Sequence, residues 1–349
     1  MYVLITGSCG LVGSECATFF IKKGYKIIGI DNDMRRYFFG KEASTKWMKE
    51  KLLKNHRNSY LHKSIDIRKY THLKKIFKLY GNNIKLIVHC AAQPSHDWAA
   101  REIKTDFDVN TCATLNMLEL TKKYCNKKTP FIFLSTNKVY GDNPNKLKII
   151  KHKSRFILSK KEKFANGIDE SMSLDNCVHS FFGVSKLSAD LMVQEFGKNF
   201  NMNTVCFRAG CITGPNHSGA ELHGFLSFLI KSCVSKQYYQ IIGHKGFQVR
   251  DNIHSADLAE AFWCFFKKPF NDAVFNIGGS IYSNCSILEA IQYIENKKNI
   301  KVKKTILKVP RAGDHQWYIS DIRKFQNIYP SFKLKYNTQK ILDEIIDLY

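Results

Sequence analysis

The first segment that could do chemistry is a glycine-rich turn, Gly7-Ser8-Cys9-Gly10-Leu11-Val12-Gly13. It follows the apolar run Tyr2–Thr6 and precedes residues 14–23, which have helical periodicity. Glycines at this spacing let the backbone approach a pyrophosphate, and the start of a helix offers N–H groups and a positive dipole end to that anion. The pattern predicts a dinucleotide site formed by Gly7, Cys9, Gly10, Leu11, Val12 and Gly13.

An acidic residue follows the next apolar run at the spacing such a site requires. Asp31 and Asn32 come directly after Lys26–Ile30, about 20 residues beyond the turn. A carboxylate there accepts hydrogen bonds from the ribose hydroxyls of NAD and repels the 2′-phosphate of NADP. We therefore predict NAD as the cofactor, although Arg35 and Arg36 could instead neutralise a 2′-phosphate.

The order of elements needed to position this turn is that of an α/β protein. Further strand-like runs occur at residues 86–90, 130–135 and 204–207, separated by stretches long enough for crossover helices. We predict a Rossmann, doubly wound parallel sheet, with residues 1–210 as the NAD-binding domain. Residues 211–349 are predicted to form a smaller, mixed, partly interleaved substrate-binding region over the carboxyl edge of the sheet.

Residues 143–167 interrupt this alternation. They have little periodicity, many lysines and many turn formers. The segment is predicted to be a long basic loop, either a functional lid or a disordered insertion.

Composition excludes several classes of protein. The chain of 349 residues is 44% hydrophobic and has no apolar run near the roughly 20 residues of a spanning helix, so no membrane role is expected. The formal net charge of +24 is spread along the chain without a nucleic-acid motif, which favours a solvated surface over a nucleic-acid partner. The eleven cysteines are dispersed, with no CxxC pair or metal-ligand spacing, so we expect reduced thiols, no bound metal and a cytoplasmic location.

Taken together, the motifs resemble the extended short-chain dehydrogenase/reductase superfamily over nearly the whole chain. They are the glycine turn, Asp66-Ile67, Cys90-Ala91-Ala92, Leu134-Ser135-Thr136-Asn137-Lys138-Val139-Tyr140-Gly141, Arg250-Asp251-Asn252-Ile253-His254 and Asn276-Ile277-Gly278-Gly279.

Two of these segments resemble the CDP-paratose (CDP-tyvelose) 2-epimerase group of that superfamily. They are Ala91-Ala92-Gln93-Pro94-Ser95-His96-Asp97-Trp98 and residues 135–141. Sugar-nucleotide dehydratases of the superfamily carry Asp-Glu after the catalytic threonine, where an acid helps to expel a hydroxyl as water. Asn137 and Lys138 stand there in this chain, which argues against dehydration.

The resemblance implies further binding residues. Asp66 and Ile67 would contact the adenine, and Ala91 would pass under the cofactor. Arg250 and Arg311 would hold the diphosphate of a nucleotide-diphosphate sugar, as two guanidinium groups can; alternatively, Arg250 pairs with Asp251 and Arg311 faces water. The remaining predicted ligands are Ala92, Gln93, Asn110 and Lys186 for the cofactor, and His96, Asn137 and Arg208 for the substrate.

The catalytic residues depart from the superfamily pattern. A Tyr-x-x-x-Lys motif normally supplies a tyrosinate base, but this chain has Phe182 four residues before Lys186. Thr136 and Lys186 remain at the expected positions. Another group, His179, Lys138 or His96, could replace the phenol; solvent or Lys186 could act as a slower base; or the protein could bind its ligands without catalysis.

The resemblance implies an epimerase that oxidises and re-reduces a bound sugar and retains NAD. A net dehydrogenase or a uronic acid decarboxylase are the enzymatic alternatives. The resemblance also implies a homodimer formed by the amphipathic helices at residues 108–124 and 183–199.

Overall fold

The computed structural model describes residues 1–218, 224–309 and 313–349. Within these ranges the strands are β1 Tyr2–Thr6, β2 Lys26–Ile30, β3 Tyr60–Lys63, β4 Ile84–His89, β5 Phe131–Thr136, β6 Ile149–His152, β7 Arg155–Leu158, β8 Thr204–Ala209, β9 Cys211–Thr213, β10 Tyr239–Ile242, β11 Val249–His254, β12 Ala273–Ile277, β13 Asn284–Ser286, β14 Lys304–Leu307 and β15 Trp317–Tyr318.

The α-helices in the same ranges connect or cover these strands. They are α1 Leu11–Lys22, α2 Met34–Phe39, α3 Lys46–Asn55, α4 Tyr70–Tyr80, α5 His96–Arg101, α6 Ile103–Phe107, α7 Ala113–Tyr124, α8 Ser180–Phe200, α9 Phe225–Val234, α10 Ser255–Lys267, α11 Ile287–Lys298, α12 Arg323–Ile328 and α13 Thr338–Ile346.

A seven-stranded parallel sheet forms the centre of the molecule. Its strand order is β12-β8-β5-β4-β1-β2-β3, and every neighbouring pair is parallel. The direction of winding reverses between β1 and β4, which opens a crevice at the carboxyl ends of the strands. The predicted Rossmann sheet is confirmed, and the bounds of β1 and β2 match the apolar runs in the sequence.

Helices cover both faces of this sheet, which explains why its strands are apolar throughout rather than alternating. In β1, Val3 and Ile5 face a core shared with α1, α10 and α12, whereas Leu4 faces a core shared with α4, α7 and α8. Both sets of side chains are fully buried. The β1-turn-α1 unit is therefore held rigidly from two sides.

The C-terminal half builds a smaller region with its own core. Helices α9, α11 and α13 pack together with β10, which pairs with β14. Strand β11 pairs in parallel with β9 and β15 and antiparallel with β13, so the predicted mixed character is confirmed. Strand β12 returns to the edge of the central sheet, which interleaves the two halves of the chain.

The prediction of a long loop at residues 143–167 is wrong. The segment contains the antiparallel hairpin β6–β7, and Leu158 and Phe164 are buried beside Trp317 and Tyr318. The Phe156 N–H donates to the Phe247 carbonyl at 2.9 Å. These are contacts with distant parts of the chain, so the local sequence pattern does not reveal them.

In the described ranges, no helix combines the length and the apolar character needed to cross a bilayer. The same ranges hold no group of three or more His, Cys, Asp or Glu side chains placed to bind a metal ion.

Candidate active site

A cleft of about 470 Å³ runs along the carboxyl edge of the central sheet and under the C-terminal region. The glycine turn and the ends of β2 to β5 form one wall, and residues around β9, α9, β10 and β11 form the other. The cleft thus joins the predicted cofactor site to the predicted substrate site.

Glycine is required twice in the turn that follows β1. Gly7 has φ +66°, and a Cβ there would lie 2.9 Å from the Ala91 backbone. A Cβ on Gly13 would lie 2.1 Å from the Gly7 carbonyl oxygen, a contact no side chain can occupy. The turn is therefore packed against the start of α1, where Leu11, Val12 and Gly13 line the cleft. The first turn of a helix is the part that binds anions.

Asp31 lies at the end of β2, where the sequence predicts the ribose-binding carboxylate. It accepts hydrogen bonds from the backbone N–H groups of Cys9 and Asp33, each at 2.9 Å. Burial raises the pKa of Asp31, although these two hydrogen bonds oppose the shift. Asp31 and Asn32 both line the cleft beside the glycine turn.

The predicted adenine contacts lie in the same part of the cleft. Asp66 and Ile67 line it, as do Ala91 and Ala92 beyond β4. Asp66 forms an ion pair with Arg68 at 2.6 Å, and this cation holds the pKa of Asp66 below its usual value despite the opposing effect of burial.

Cys9, Gln93 and Asn110 are buried and are not among the residues that line this wall, so their contact with the cofactor stays a prediction. The Gln93 N–H donates to Asn110 Oδ1 at 2.9 Å, and Asn110 Nδ2 donates to Ser185 Oγ at 3.0 Å. These two amides tie the loop after β4 to α8. Their role is to support the lining residues.

Thr136, Phe182 and Lys186 come together at the sheet edge, as the sequence predicts. Phe182 and Lys186 lie one turn apart on α8, and all three residues line the cleft. Lys186 Nζ donates to the Leu134 carbonyl at 2.7 Å, and burial lowers the pKa of Lys186 to about 8. The site thus holds a lysine and a hydroxyl beside a phenyl ring, at the position where the family resemblance implies a tyrosine.

Thr136, Phe182 and Lys186 form what we call the catalytic corner of the cleft. A cluster of charged side chains lies on the opposite side of this corner. Asp314 accepts from Arg250 Nη2 at 2.5 Å and lies 3.5 Å from Lys138 Nζ. Burial acts to raise the pKa of Asp314, but the two cations hold it well below its usual range. Burial also lowers the pKa of Lys138 to about 8. Asn137 lines the cleft beside these residues.

This geometry answers the open question about Arg250. Arg250 pairs with Asp314, whereas the neighbouring Asp251 accepts from the backbone N–H groups of Ser280 and Ser320. Arg311 lies outside the described residues. Sequence reasoning missed Asp314, although it lies in the same Pro310-Arg311-Ala312-Gly313-Asp314 segment as the arginine that was singled out.

Two predicted site residues lie elsewhere. Arg208 is buried behind the cleft, where Nη2 donates to Asp190 at 2.9 Å and Nη1 to the Tyr140 hydroxyl at 3.2 Å. These contacts favour a structural role for Arg208 over the predicted role in substrate binding. His179 does not line the cleft either, because its Nε2 lies 2.8 Å from the Leu174 carbonyl. A role for His179 as the base is not supported.

Replacing Arg208 with Met should destabilise the protein by about 3–5 kcal/mol, because Asp190 would be left as a buried, unpaired charge. Urea unfolding measures this loss. Arg323→Met is the matched control: Arg323 is 65% exposed and pairs with Asp321, so its loss should cost about 1 kcal/mol or less. Equal effects of the two substitutions would contradict the assignment.

The residues that line the cleft fit the chemistry of NAD. The glycine turn leaves no room for a Cβ where a pyrophosphate must approach, Asp31 stands at the ribose position, and Lys186 and Thr136 lie at the far end. These residues would hold the dinucleotide with its redox ring toward the catalytic corner.

Comparisons with known proteins agree with this arrangement. Residues 3–278 match the model of the family described as "NAD dependent epimerase/dehydratase family". CDP-paratose 2-epimerase of Salmonella typhi is 31% identical over 354 residues, covering 98% of both chains. UDP-glucuronate 4-epimerase of Thermodesulfobacterium geofontis is 25% identical, covering 96% of this chain and 93% of that one.

Solved structures give the same result. A mutant of UDP-glucuronic acid 4-epimerase from Bacillus cereus, in complex with UDP-4-deoxy-4-fluoro-glucuronic acid and NAD, has a TM-score of 0.78 at 25% identity over the whole of both chains. The UDP-glucose 4-epimerase of Thermus thermophilus, in complex with NAD, shares the fold with a TM-score of 0.79 at 18% identity, covering 99% and 98% of the two chains.

The predicted fold, the NAD cofactor and the epimerase class are thereby confirmed. The chain belongs to the NAD dependent epimerase/dehydratase family.

Proposed function

We propose that this protein epimerises a nucleotide-diphosphate sugar, with a CDP-sugar inverted at C2 as the first candidate. The observation that carries the proposal is the single cleft that joins the glycine turn to Thr136, Lys186 and Arg250. The CDP-sugar is favoured because the relative at 31% identity is a CDP-paratose 2-epimerase and matches along nearly the whole chain.

The proposed division of labour follows the two halves of the chain. Residues 1–210 would bind NAD and supply Thr136 and Lys186. Residues 211–349 would bind the nucleotide end of the substrate, partly through Arg250. Strand β12 makes the two halves one folded unit, which would keep their relative position fixed during turnover.

NAD, held by the glycine turn and Asp31, would supply the reversible hydride acceptor that inversion of a sugar carbon requires. The chain's own residues would orient the sugar and handle the proton. The Thr136 hydroxyl would hydrogen-bond the reacting oxygen, and the Lys186 ammonium would stabilise negative charge developing there. Asn137 and Lys138 provide no carboxylic acid to expel a hydroxyl, so the sugar would leave as an epimer and not as a dehydrated product.

The diphosphate would bind at Arg250, together with Arg311 as the family resemblance implies. A guanidinium group can form two hydrogen bonds with phosphate oxygens. In the described structure Asp314 accepts from Arg250, so a bound diphosphate would have to share or displace that carboxylate.

The direct test is an NMR screen of purified protein with CDP-, UDP-, GDP- and dTDP-sugars, after release and measurement of any retained NAD. Inversion without accumulation of NADH would support the proposal. Net NADH would indicate a dehydrogenase, and carbon dioxide release a decarboxylase. Phe182 at the tyrosine position favours one further candidate, a protein that binds NAD and a nucleotide sugar without catalysis; tight binding without turnover would support that candidate.

A homodimer is also proposed, on the basis of an exposed apolar stripe. On α8, Phe181, Val184 and Leu191 lie on one face and are 45% to 49% exposed. Ile103 and Phe107 on α6, which packs against α8, are exposed as well. A second copy of the chain would cover this surface.

Placing glutamate at both Val184 and Leu191 should dissociate such a dimer, because burying two carboxylates between apolar faces is unfavourable. Light scattering during gel filtration would report the mass. Leu79→Glu, at an exposed site on α4, is the control and should leave the dimer intact. A wild-type mass of a single chain would refute the dimer.

All eleven cysteines are unpaired, which supports the further proposal of a reducing, cytoplasmic location.

A further inference from the structure

The catalytic corner lacks the phenol that would take the sugar's hydroxyl proton, and a histidine stands next to the phenyl ring that replaces it. His96 lines the cleft, and its ring meets that of Phe182 edge-on with centroids 5.1 Å apart. His96 Nδ1 lies 2.7 Å from Ser180 Oγ. A base oriented by a third group in this manner is a recurrent feature of catalytic sites.

The other ionisable groups of this corner are less suited to the task. Lys138 is paired with Asp314, and Lys186 donates to the Leu134 carbonyl. Burial raises the pKa of the Cys90 thiol to about 12 and that of Cys211 to about 11, which disfavours their basic thiolate forms. Imidazole is the side chain whose ordinary pKa allows it both to accept and to return a proton near neutral pH.

His217 is a second histidine lining the cleft, but it lies with a different set of residues. Its Nδ1 lies 3.5 Å from Ser227 Oγ, and the Arg35 guanidinium near it donates to the Ser218 carbonyl at 2.7 Å. Burial lowers the pKa of His217 to about 3. It is therefore not a candidate for the same role.

The backbone that carries His96 is firmly held. Gln93 Nε2 donates to the Ser95 carbonyl at 2.8 Å, and the Ser95 N–H donates to Gln93 Oε1 at 2.5 Å. Through Asn110 this buried network reaches Ser185 on α8, the helix that also carries Phe182 and Lys186. The network fixes the start of α5, and hence His96, relative to the catalytic helix.

Ser180 is held in an uncommon conformation at the first position of α8. Its φ is +62°, and its Oγ accepts from the Gly183 N–H at 3.3 Å. A serine hydroxyl oxygen has two lone pairs, so beside the hydrogen bond from Gly183 it has room to accept a second one from His96 Nδ1–H. In that tautomer Nε2 carries the lone pair.

We propose that His96 takes the place of the missing tyrosine as the proton acceptor and donor, and that Ser180 is the positioning residue that fixes its tautomer. This inference rests on the proposed epimerase function. As hydride leaves the sugar carbon for NAD, the hydroxyl O–H bond breaks, its proton passes to His96 Nε2 and the C=O bond forms. The return of hydride takes the proton back, so neither acid nor base is consumed.

The first test needs no turnover. Protein labelled with ¹⁵N-histidine, with the His96 signals assigned by His96→Gln, should show the Nδ1–H tautomer in the wild type. Ser180→Ala should yield a mixture of tautomers. A wild-type His96 in the Nε2–H form would overturn the proposal.

The second test uses the epimerase assay. His96→Gln should lower kcat by about 10² to 10⁴ with little change in KM, the usual range for loss of an acid–base group. Phe182→Tyr in the His96→Gln background should recover at least a tenth of wild-type kcat. Phe200→Tyr, at the exposed C-terminal end of the same helix, should recover nothing. His72→Ala, on the exposed side of α4, controls for loss of any histidine.

The outcomes separate this inference from the proposed function. If the wild type epimerises a sugar and His96→Gln retains its kcat, the inference fails and the function stands. If no nucleotide sugar is epimerised by the wild type, the function fails, and the tautomer measurement still decides whether Ser180 orients His96. A folded His96→Gln protein with normal NAD binding excludes a trivial loss of structure.

Discussion

Gly13→Ala is expected to abolish NAD binding and to destabilise the fold. The new Cβ would lie 2.1 Å from the Gly7 carbonyl oxygen, which is backbone and cannot rotate away. Either α1 moves from the sheet or the turn opens, and both changes disrupt the anion site at the start of the helix. We expect a loss of about 3 kcal/mol or more, at the upper end of overpacking effects.

The measurements are the NAD released on denaturing the purified protein and the free energy of unfolding in urea. Gly24→Ala is the matched control, since a Cβ there meets nothing within 4 Å and only the φ of +88° opposes it. That control should cost about 1–2 kcal/mol and leave NAD binding intact. Full NAD occupancy in Gly13→Ala would mean that the turn does not bind the cofactor.

The glycine turn could be predicted from sequence because its constraints are local. A strand, a turn and a helix within residues 2–22 determine where the N–H groups point, and Asp31 follows one strand later. The same holds for Phe182 and Lys186, which one helical turn brings to the same face. Such features can be predicted from the sequence because few contacts with distant parts of the chain can change them.

The arginines show where this reasoning fails. Arg208 and Arg250 both lie on buried strands and both pair with a carboxylate, yet the first is behind the cleft and the second is in it. Their partners are 18 and 64 residues away along the chain. Only the tertiary fold determines which guanidinium group lines the cleft. Residue type alone therefore could not distinguish an arginine that supports the fold from one placed to bind a ligand.

The prediction of a loop was wrong at residues 149–158, which form a hairpin, for a related reason. Its exposed residues are Ile150, Lys151, His152 and Lys153, and its turn formers suggest a loop. However, Arg155 pairs with Glu289 at 3.4 Å, and the Phe156 N–H donates to the Phe247 carbonyl. Stability comes from surfaces more than 90 residues away. A short two-stranded ribbon is marginal alone and needs such packing.

Lys186→Met should lower kcat by about 10² to 10⁴, because the site would lose the cation that stabilises charge on the reacting oxygen. Lys198→Met, at an exposed position in the last turn of the same helix, should leave turnover unchanged. Comparable activity of the two variants would remove Lys186 from the mechanism.

Although Lys186→Met should lower activity, it should increase the free energy of unfolding near neutral pH. Burial lowers the pKa of Lys186 to about 8, below the 10.5 of an ordinary lysine, so below pH 8 the folded state bears the cost of a buried ammonium. Between pH 8 and 10.5 the unfolded chain binds the extra proton, and this cost disappears as the pH rises. Lys186→Met removes it at any pH.

Urea unfolding at pH 7 should therefore show the Met variant to be at least as stable as the wild type. The advantage should shrink toward zero or below as the pH approaches 10.5, since the neutral wild-type amine keeps its hydrogen bond to the Leu134 carbonyl. Lys138 has a similarly lowered pKa, but it is present in both proteins and cancels in the difference. A stability difference independent of pH would show that Lys186 is not a buried ammonium. It would also contradict the argument that this residue is retained for catalysis at a cost to the stability of the fold.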